Sequence, residues 1–189
     1  VNEGLDVTAQ GFDQIVSNAG RRKDGAAVLC GHACSLSIRP QDDVNRVLEH
    51  AAKAGVGLVV LPTTNSYLQD NQPDRTPRLR GIAPMKEAAR AGVDVLIASD
   101  NVRDVFYPYG DYDLFDVFRG AVPLGHLDPV TWLPAITGRA AHWCASDAVH
   151  EIAIGARANF VTFEATDLDD ALSRPNATRR IFRDGAQIR

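Results

Sequence analysis

Three short apolar segments dominate this chain: Ala26 to Ala33 (AAVLCGHA), Val56 to Thr63 (VGLVVLPT) and Val93 to Asn101 (VDVLIASDN). None alternates polar with apolar residues. A β-rich run without alternation is a strand buried on both faces, the property of a parallel sheet sandwiched between helices. Each run also follows a stretch with helical spacing. The first stretch, Thr8 to Arg21, aligns Phe12, Ile15 and Val16; the second, Gln41 to Ala54, aligns Val44, Val47, Leu48 and Ala51. The third, Pro84 to Ala91, opens on a proline, which the first turn of a helix tolerates. Ala54-Gly55 and Ala91-Gly92 then read as helix stops. Helices alternating with such strands specify βαβ units and an α/β fold.

Beyond Asn101 the pattern changes. Residues 103–113 (RDVFYPYGDYD) form an aromatic loop with proline and glycine, long enough to serve as a lid. Helical segments are expected near Leu114 to Gly120, Asp128 to Ile136 and Gly138 to Ala145. The tail has two short β-like runs, Asn159 to Phe163 and Arg179 to Arg183, the second running into Asp184-Gly185, a hairpin signal. The chain is thus expected to divide into residues 1–150, an α/β unit, and residues 151–189, a small β segment.

Composition narrows the function classes. The 189 residues carry a formal net charge of −4 with no Lys/Arg block, so nucleic acid is not an expected partner. The longest apolar run, Val56 to Leu61, falls far short of the ~18–20 residues of a membrane span, so no membrane partner is expected either. The cysteines, Cys30, Cys34 and Cys144, are odd in number and lack CxxC spacing. That argues against a disulfide framework and for a cytoplasmic location.

In a parallel α/β barrel, chemistry sits on the loops at the C-terminal strand ends. Polar residues recur there: Glu3 at the end of the opening segment, His32 after the next run, Thr63 to Asn65 after the third and Asp100 after the fourth. The interval is roughly thirty residues, the length of one βαβ step. Taken singly, each has a structural reading as well. Asp100 also fits a helix cap or a turn, His32 a core histidine bonded to backbone, Glu3 a solvated charge and Asn65 a turn residue. Their regular recurrence is what favours a shared site. His50, His126, His142 and His150 fall on helices or loops away from these positions, and Cys34 reads as a small buried hydrophobe.

Several of these runs resemble segments of the cytosine deaminase-like enzymes of the amidohydrolase superfamily. Gly31-His32-Ala33-Cys34-Ser35-Leu36 is similar to their SHTTAM-like stretch. Pro62-Thr63-Thr64-Asn65-Ser66-Tyr67-Leu68-Gln69 with Pro77-Arg78-Leu79-Arg80-Gly81-Ile82 resembles their PLVNIHLQ…P-R-RGI stretch. Ile97-Ala98-Ser99-Asp100-Asn101-Val102 with Tyr107-Pro108-Tyr109-Gly110 resembles GHDDV…YPLG. Thr137-Gly138-Arg139-Ala140-Ala141, Ala158-Asn159-Phe160 and Arg183-Asp184-Gly185 are similar to the family's C-terminal helix and returning β segment. Val1-Asn2-Glu3 resembles the end of the family's His-x-x-Glu element after strand five, which implies that the first four strands and their His-x-His pair belong elsewhere.

The resemblance implies the C-terminal part of a (β/α)8 TIM-type barrel over residues 1–150, strands five to eight, with a small β segment after it. It also implies one divalent metal ion, Zn or Fe, with Asp100 as a ligand that takes a proton from bound water. Glu3 would protonate the ring nitrogen, and His32 would hydrogen-bond the attacking hydroxide or the tetrahedral species. Asn65, Asn101 and Phe106 would bind substrate. The implied reaction is hydrolytic deamination of a nitrogen heterocycle, a cytosine-like aminopyrimidine or an aminotriazine, with hydroxide attacking an amidine carbon and ammonia leaving. Asn101 stands where the family has a second Asp, Tyr67 where it has His, Phe106 where it has Trp and Asn2 where it has Asp. These exchanges alter the pocket. Removal of an alkylamine, opening of a cyclic amide, or an inactive half-barrel that only associates are the alternatives. Self-association or association with the missing N-terminal half is the expected assembly.

Overall fold

The structure, a computed structural model, describes residues 1–144 and 152–188. The chain forms two compact units, Val1–His126 and Leu127–Arg189. This division lies ahead of residue 150; the 150/151 boundary, His150 and Ala145 lie outside the described residues.

The first unit is built on a three-stranded parallel sheet of β1 (Val28–Gly31), β2 (Val56–Val60) and β3 (Val95–Ile97), in that order. Val28 aligns with Val56 and Leu58 with Val95, so each apolar run lies beside the next in register. The connections are helical, as parallel pairing requires. Helix α1 (Gly11–Arg21) precedes β1, and α2 (Gln41–Lys53) joins β1 to β2 after a 3₁₀ turn at Cys34–Ile38. Helices α3 (Pro62–Leu68) and α4 (Met85–Arg90) lie between β2 and β3. The apolar stripes predicted for α1 and α2 face inward: Phe12, Val16, Val44, Val47, Leu48 and Ala51 are buried, and Ile15 is half-buried. Helix α1 packs on α2, α2 on β2 and α4, and α5 (Leu114–Gly125) on α3 and β3. Phe12, Leu36, Leu48, Leu58, Ile97 and Phe118 are buried almost completely, and each gains about 1.5–3 kcal/mol by leaving water.

Two local expectations change. Burial on both faces holds for β2 and β3 but not for β1, where Leu29 is 41% exposed. β1 is an edge strand with β2 as its main neighbour, whereas β3, at the other edge, is covered by α4 and α5. Thr63 to Asn65 do not extend the strand into a loop. They form the first turns of α3, because Pro62 stands at the start of that helix with its φ already suited to it.

The second unit holds α6 (Pro129–Trp132), a 3₁₀ turn at Leu133–Ile136, α7 (Gly138–Trp143), β4 (Phe160–Phe163), α8 (Leu168–Ser173), β5 (Arg179–Arg183) and β6 (Ala186–Gln187). β4 and β5 are antiparallel, with Phe160 opposite Phe182 and their rings stacked 4.7 Å apart. The Asp184-Gly185 pair closes the β5–β6 hairpin with φ of 49° and 82°, the two positive values a type I′ turn demands.

One glycine is fixed by space as well as by torsion. Gly81 has φ +65°, and a Cβ there would clash with Gln69 Cγ and meet Gln69 Cβ at 3.0 Å. Gly25 has a similar φ, +64°, in open space. Gly25→Ala is therefore expected to cost about 1–2 kcal/mol, the left-handed penalty alone, and Gly81→Ala about 1–3 kcal/mol more from overpacking. Urea-unfolding midpoints of the two variants check this; equal losses would show that the Gln69 contact does not matter.

Candidate active site

The backbone ladder does not stop where the strands end. His32 N–H donates to the Val59 carbonyl at 3.0 Å, and Ala98 N–H donates to the Val60 carbonyl at 3.1 Å. Residues 1–2 add a further row on the other side of β1. The Val1 nitrogen donates to the Gly31 carbonyl at 2.9 Å, and the Val1 carbonyl accepts from Ala33 N–H at 2.9 Å. Glu3, His32 and Asp100 thus emerge at the C-terminal ends of rows of one ladder, with the β2 row lying between those of His32 and Asp100.

The chain turns sharply at each exit. Asn2, His32, Ala33 and Asp100 all have positive φ, between 51° and 73°, a region sparsely populated by residues other than glycine. Such outliers cost about 1–3 kcal/mol each and cluster at functional sites. They bring one ligand atom from each of Glu3, His32 and Asp100 to within 4.8 Å of one another. Glu3 Oε1 lies 3.9 Å from His32 Nδ1. Partial burial pushes the Asp100 carboxyl above the usual carboxylate range. His32 opposes this shift, the charges of Glu3 and Asp104 reinforce it, and the Asn101 backbone N–H opposes it.

Each element is held in place by a polar contact behind it. The Thr64 hydroxyl, fully buried on α3, donates to the Ser99 carbonyl at 2.9 Å and clamps the turn that carries Asp100. Asn65, 1% exposed, places Nδ2 3.1 Å from His32 Nδ1. Asn2 is turned away: its side-chain amide donates to the Ala9 carbonyl at 3.2 Å. Gly11 permits this close approach, since a Cβ there would meet Asn2 Oδ1 at 2.7 Å and Val1 Cγ2 at 2.9 Å.

The remaining expected residues, Asn101 and Phe106, belong to the segment after β3. Asn101 lines a cavity of about 240 Å³ together with Thr63, Ser99, Tyr107 and Asp113, a lining that includes none of Glu3, His32 and Asp100. Its side-chain amide donates to Asp104 Oδ2 at 2.5 Å, and Asp104 Oδ1 accepts from the N–H groups of Phe106 and Tyr107, both at 2.9 Å. Phe106 is 57% exposed and does not line that cavity. The aromatic feature here is different: Tyr67 of α3 meets Tyr107 and Tyr109 edge to face, with centroids 5.4 and 5.7 Å away. Sequence reasoning singled out both segments without pairing them, because nothing local links residue 67 to residues 107 and 109. The Thr64 clamp was missed for the same reason. His50, His126 and His142 are exposed.

The two carboxylates of this set suit a divalent cation such as Zn²⁺ or Fe²⁺, with the imidazole beside them. Two acidic groups this close, one of them driven upward by burial and by the other's charge, leave room for positive charge between them. Among the described residues no helix is long and apolar enough to cross a membrane.

A profile of the amidohydrolase family matches residues 2–184. The chain is 42% identical over 163 residues to a pterin deaminase of Rhizobium rhizogenes, an alignment that covers 85% of this chain and 37% of that protein. Its structure resembles 5-methylcytosine deaminase from Klebsiella pneumoniae, with a TM-score of 0.85 at 23% identity, covering 100% of this chain and 46% of that one. N-isopropylammelide isopropylaminohydrolase from Burkholderia multivorans is similar with a TM-score of 0.73 at 24% identity, over 94% of this chain and 43% of that one. The chain therefore spans less than half the length of these relatives.

Two outcomes follow from this geometry. Thr64→Val leaves the Ser99 carbonyl only the long bond from the Thr63 hydroxyl at 3.5 Å and is expected to cost about 1–3 kcal/mol, while Thr64→Ser retains most of the stability, as read by chemical denaturation. Burial, reinforced by the charge of Glu3, pushes the Cys34 thiol up to about 12, and burial also raises Cys30, whereas Cys144 is exposed. Because the thiolate is the reactive form, titration of the native chain with a disulfide reagent near neutral pH should show one fast thiol. Three fast thiols would contradict the burial of the site's underside.

Proposed function

The chain belongs to the amidohydrolase family, and we propose that it supplies part of the active site of an enzyme that hydrolytically deaminates a nitrogen heterocycle. The observation that carries the reading is the convergence of Glu3, His32 and Asp100 at strand ends nearly a hundred residues apart in the chain. On this reading residues 1–126 form the C-terminal part of a TIM-type barrel that further strands complete. The three unpaired cysteines fit a cytoplasmic enzyme. The 42% identity to a pterin deaminase makes an aminopyrimidine ring of the pterin kind the first substrate to test.

Asp100 would hold the metal ion, with the donors of Glu3 and His32 close by. A bound Zn²⁺ or Fe²⁺ supplies Lewis-acid activation of water at neutral pH. Asp100 would take up the proton that the activated water releases. Glu3 carries a proton to the ring nitrogen, so that the amidine carbon accepts the incoming oxygen. His32 hydrogen-bonds that oxygen as charge builds on it. Water is added and ammonia leaves, converting the amidine to a cyclic amide. Loss of an alkylamine instead of ammonia is a second reading; it has the same chemistry, and a structural neighbour is named for such a reaction.

The test is ammonia release from pterin by the full-length protein that carries this chain, with metal measured by elemental analysis. Asp100→Asn is expected to lose both metal and activity. Glu3→Gln is expected to keep its metal while kcat falls by roughly 10²–10⁴-fold, the usual contribution of a positioned acid or base. An Asp100→Asn protein that retained metal and rate would overturn the assignment.

A further inference from the structure

We infer that Asn65 is a positioning residue that fixes the tautomer of His32 and keeps that histidine a hydrogen-bond donor rather than a metal ligand. The inference rests on the site proposed above and deepens it. Asn65 sits in α3, 1% exposed, with its backbone N–H bonded to the Leu61 carbonyl, so it is held in place from behind. Its Nδ2 lies 3.1 Å from His32 Nδ1. A carboxamide nitrogen can only donate, so Nδ1 must be the bare ring nitrogen and Nε2 must carry the hydrogen.

The amide orientation follows from the partners available. As placed, the atom left without a partner is Asn65 Oδ1, an acceptor. Flipping the carboxamide would instead bury the NH₂ group in that partnerless position, and a buried orphan donor is rarer and costlier than an orphan acceptor. The Glu3 carboxylate stands 3.9 Å from the same Nδ1, beyond hydrogen-bond range, so Asn65 is the nearer influence.

The consequence for the site is specific. With the Nδ1 lone pair engaged by Asn65 and Nε2 protonated, His32 has no lone pair left for a cation. What it offers is one N–H, the group needed to stabilise an oxygen gaining negative charge. Asn65 therefore acts through His32 and need not touch the heterocycle, in contrast to the substrate-contact role expected from sequence.

The experiment is a long-range ¹H–¹⁵N correlation spectrum of histidine-labelled full-length protein, with the His32 signals identified by their loss in His32→Gln. The expected result is Nε2–H for His32 in the parent protein, a shift of the hydrogen to Nδ1 in Asn65→Asp, and a mixture of tautomers in Asn65→Leu. With these goes a fall in kcat of roughly ten- to a hundredfold, with KM changed much less, the size typical of losing a partner that orients a site histidine. Nδ1–H in the parent, or an unchanged tautomer in Asn65→Leu, would overturn the inference. The spectrum is independent of turnover: the expected tautomers in a protein that deaminates nothing would leave this inference standing and remove the proposed reaction.

Discussion

The ladder of parallel backbone hydrogen bonds is the constraint on which the site depends. It aligns β1, β2 and β3 in register and then continues one step beyond them, through His32 to Val59 and Ala98 to Val60. Residues 1–2 extend the same pattern on the other side of β1. Because each row ends at a matching height, side chains from residues 3, 32 and 100 reach one small volume. The helices contribute by burying the sheet's apolar faces, which holds the rows too rigidly to slip. A one-residue slip would send every side chain to the opposite face.

That rigidity also explains how the strained exits persist. Left-handed torsions at Asn2, His32, Ala33 and Asp100 would relax in a free loop. Here each is followed or preceded by a backbone group already committed to a neighbour, and the Thr64 hydroxyl holds the Ser99 carbonyl just before Asp100. The strain aims side chains across the strand ends instead of along them. The buried polar residues of α3, Thr64 and Asn65, serve this geometry as supports for groups on other elements.

Much of this was legible in the sequence, and the reasons are physical. Unalternated runs such as Val56 to Val60 announce a two-sided strand, and the stripe Val44, Val47, Leu48, Ala51 announces a helix over it. The β-turn code of Asp184-Gly185 is local, so the hairpin could be read directly. Glu3, His32 and Asp100 were legible because one βαβ step sets their spacing. Leu29 was misread because burial depends on which neighbours a strand has, and a run of apolar residues does not name them. Asn65 was placed at the rim by its position after β2, whereas Pro62 turned that stretch into helix and carried its side chain inside. Contacts such as Tyr67 with Tyr107 depend on loops meeting in space, which no local pattern encodes.

The loop after β3 is stitched to itself. Asp104 holds the side-chain amide of Asn101 and the N–H groups of Phe106 and Tyr107, while Arg103 bonds the carbonyls of Tyr109 and Gly110. A segment with so many internal bonds has already lost most of its conformational freedom before any ligand arrives. A group that docked against Asn101 would meet a preformed backbone, with little entropy left to lose on ordering the loop.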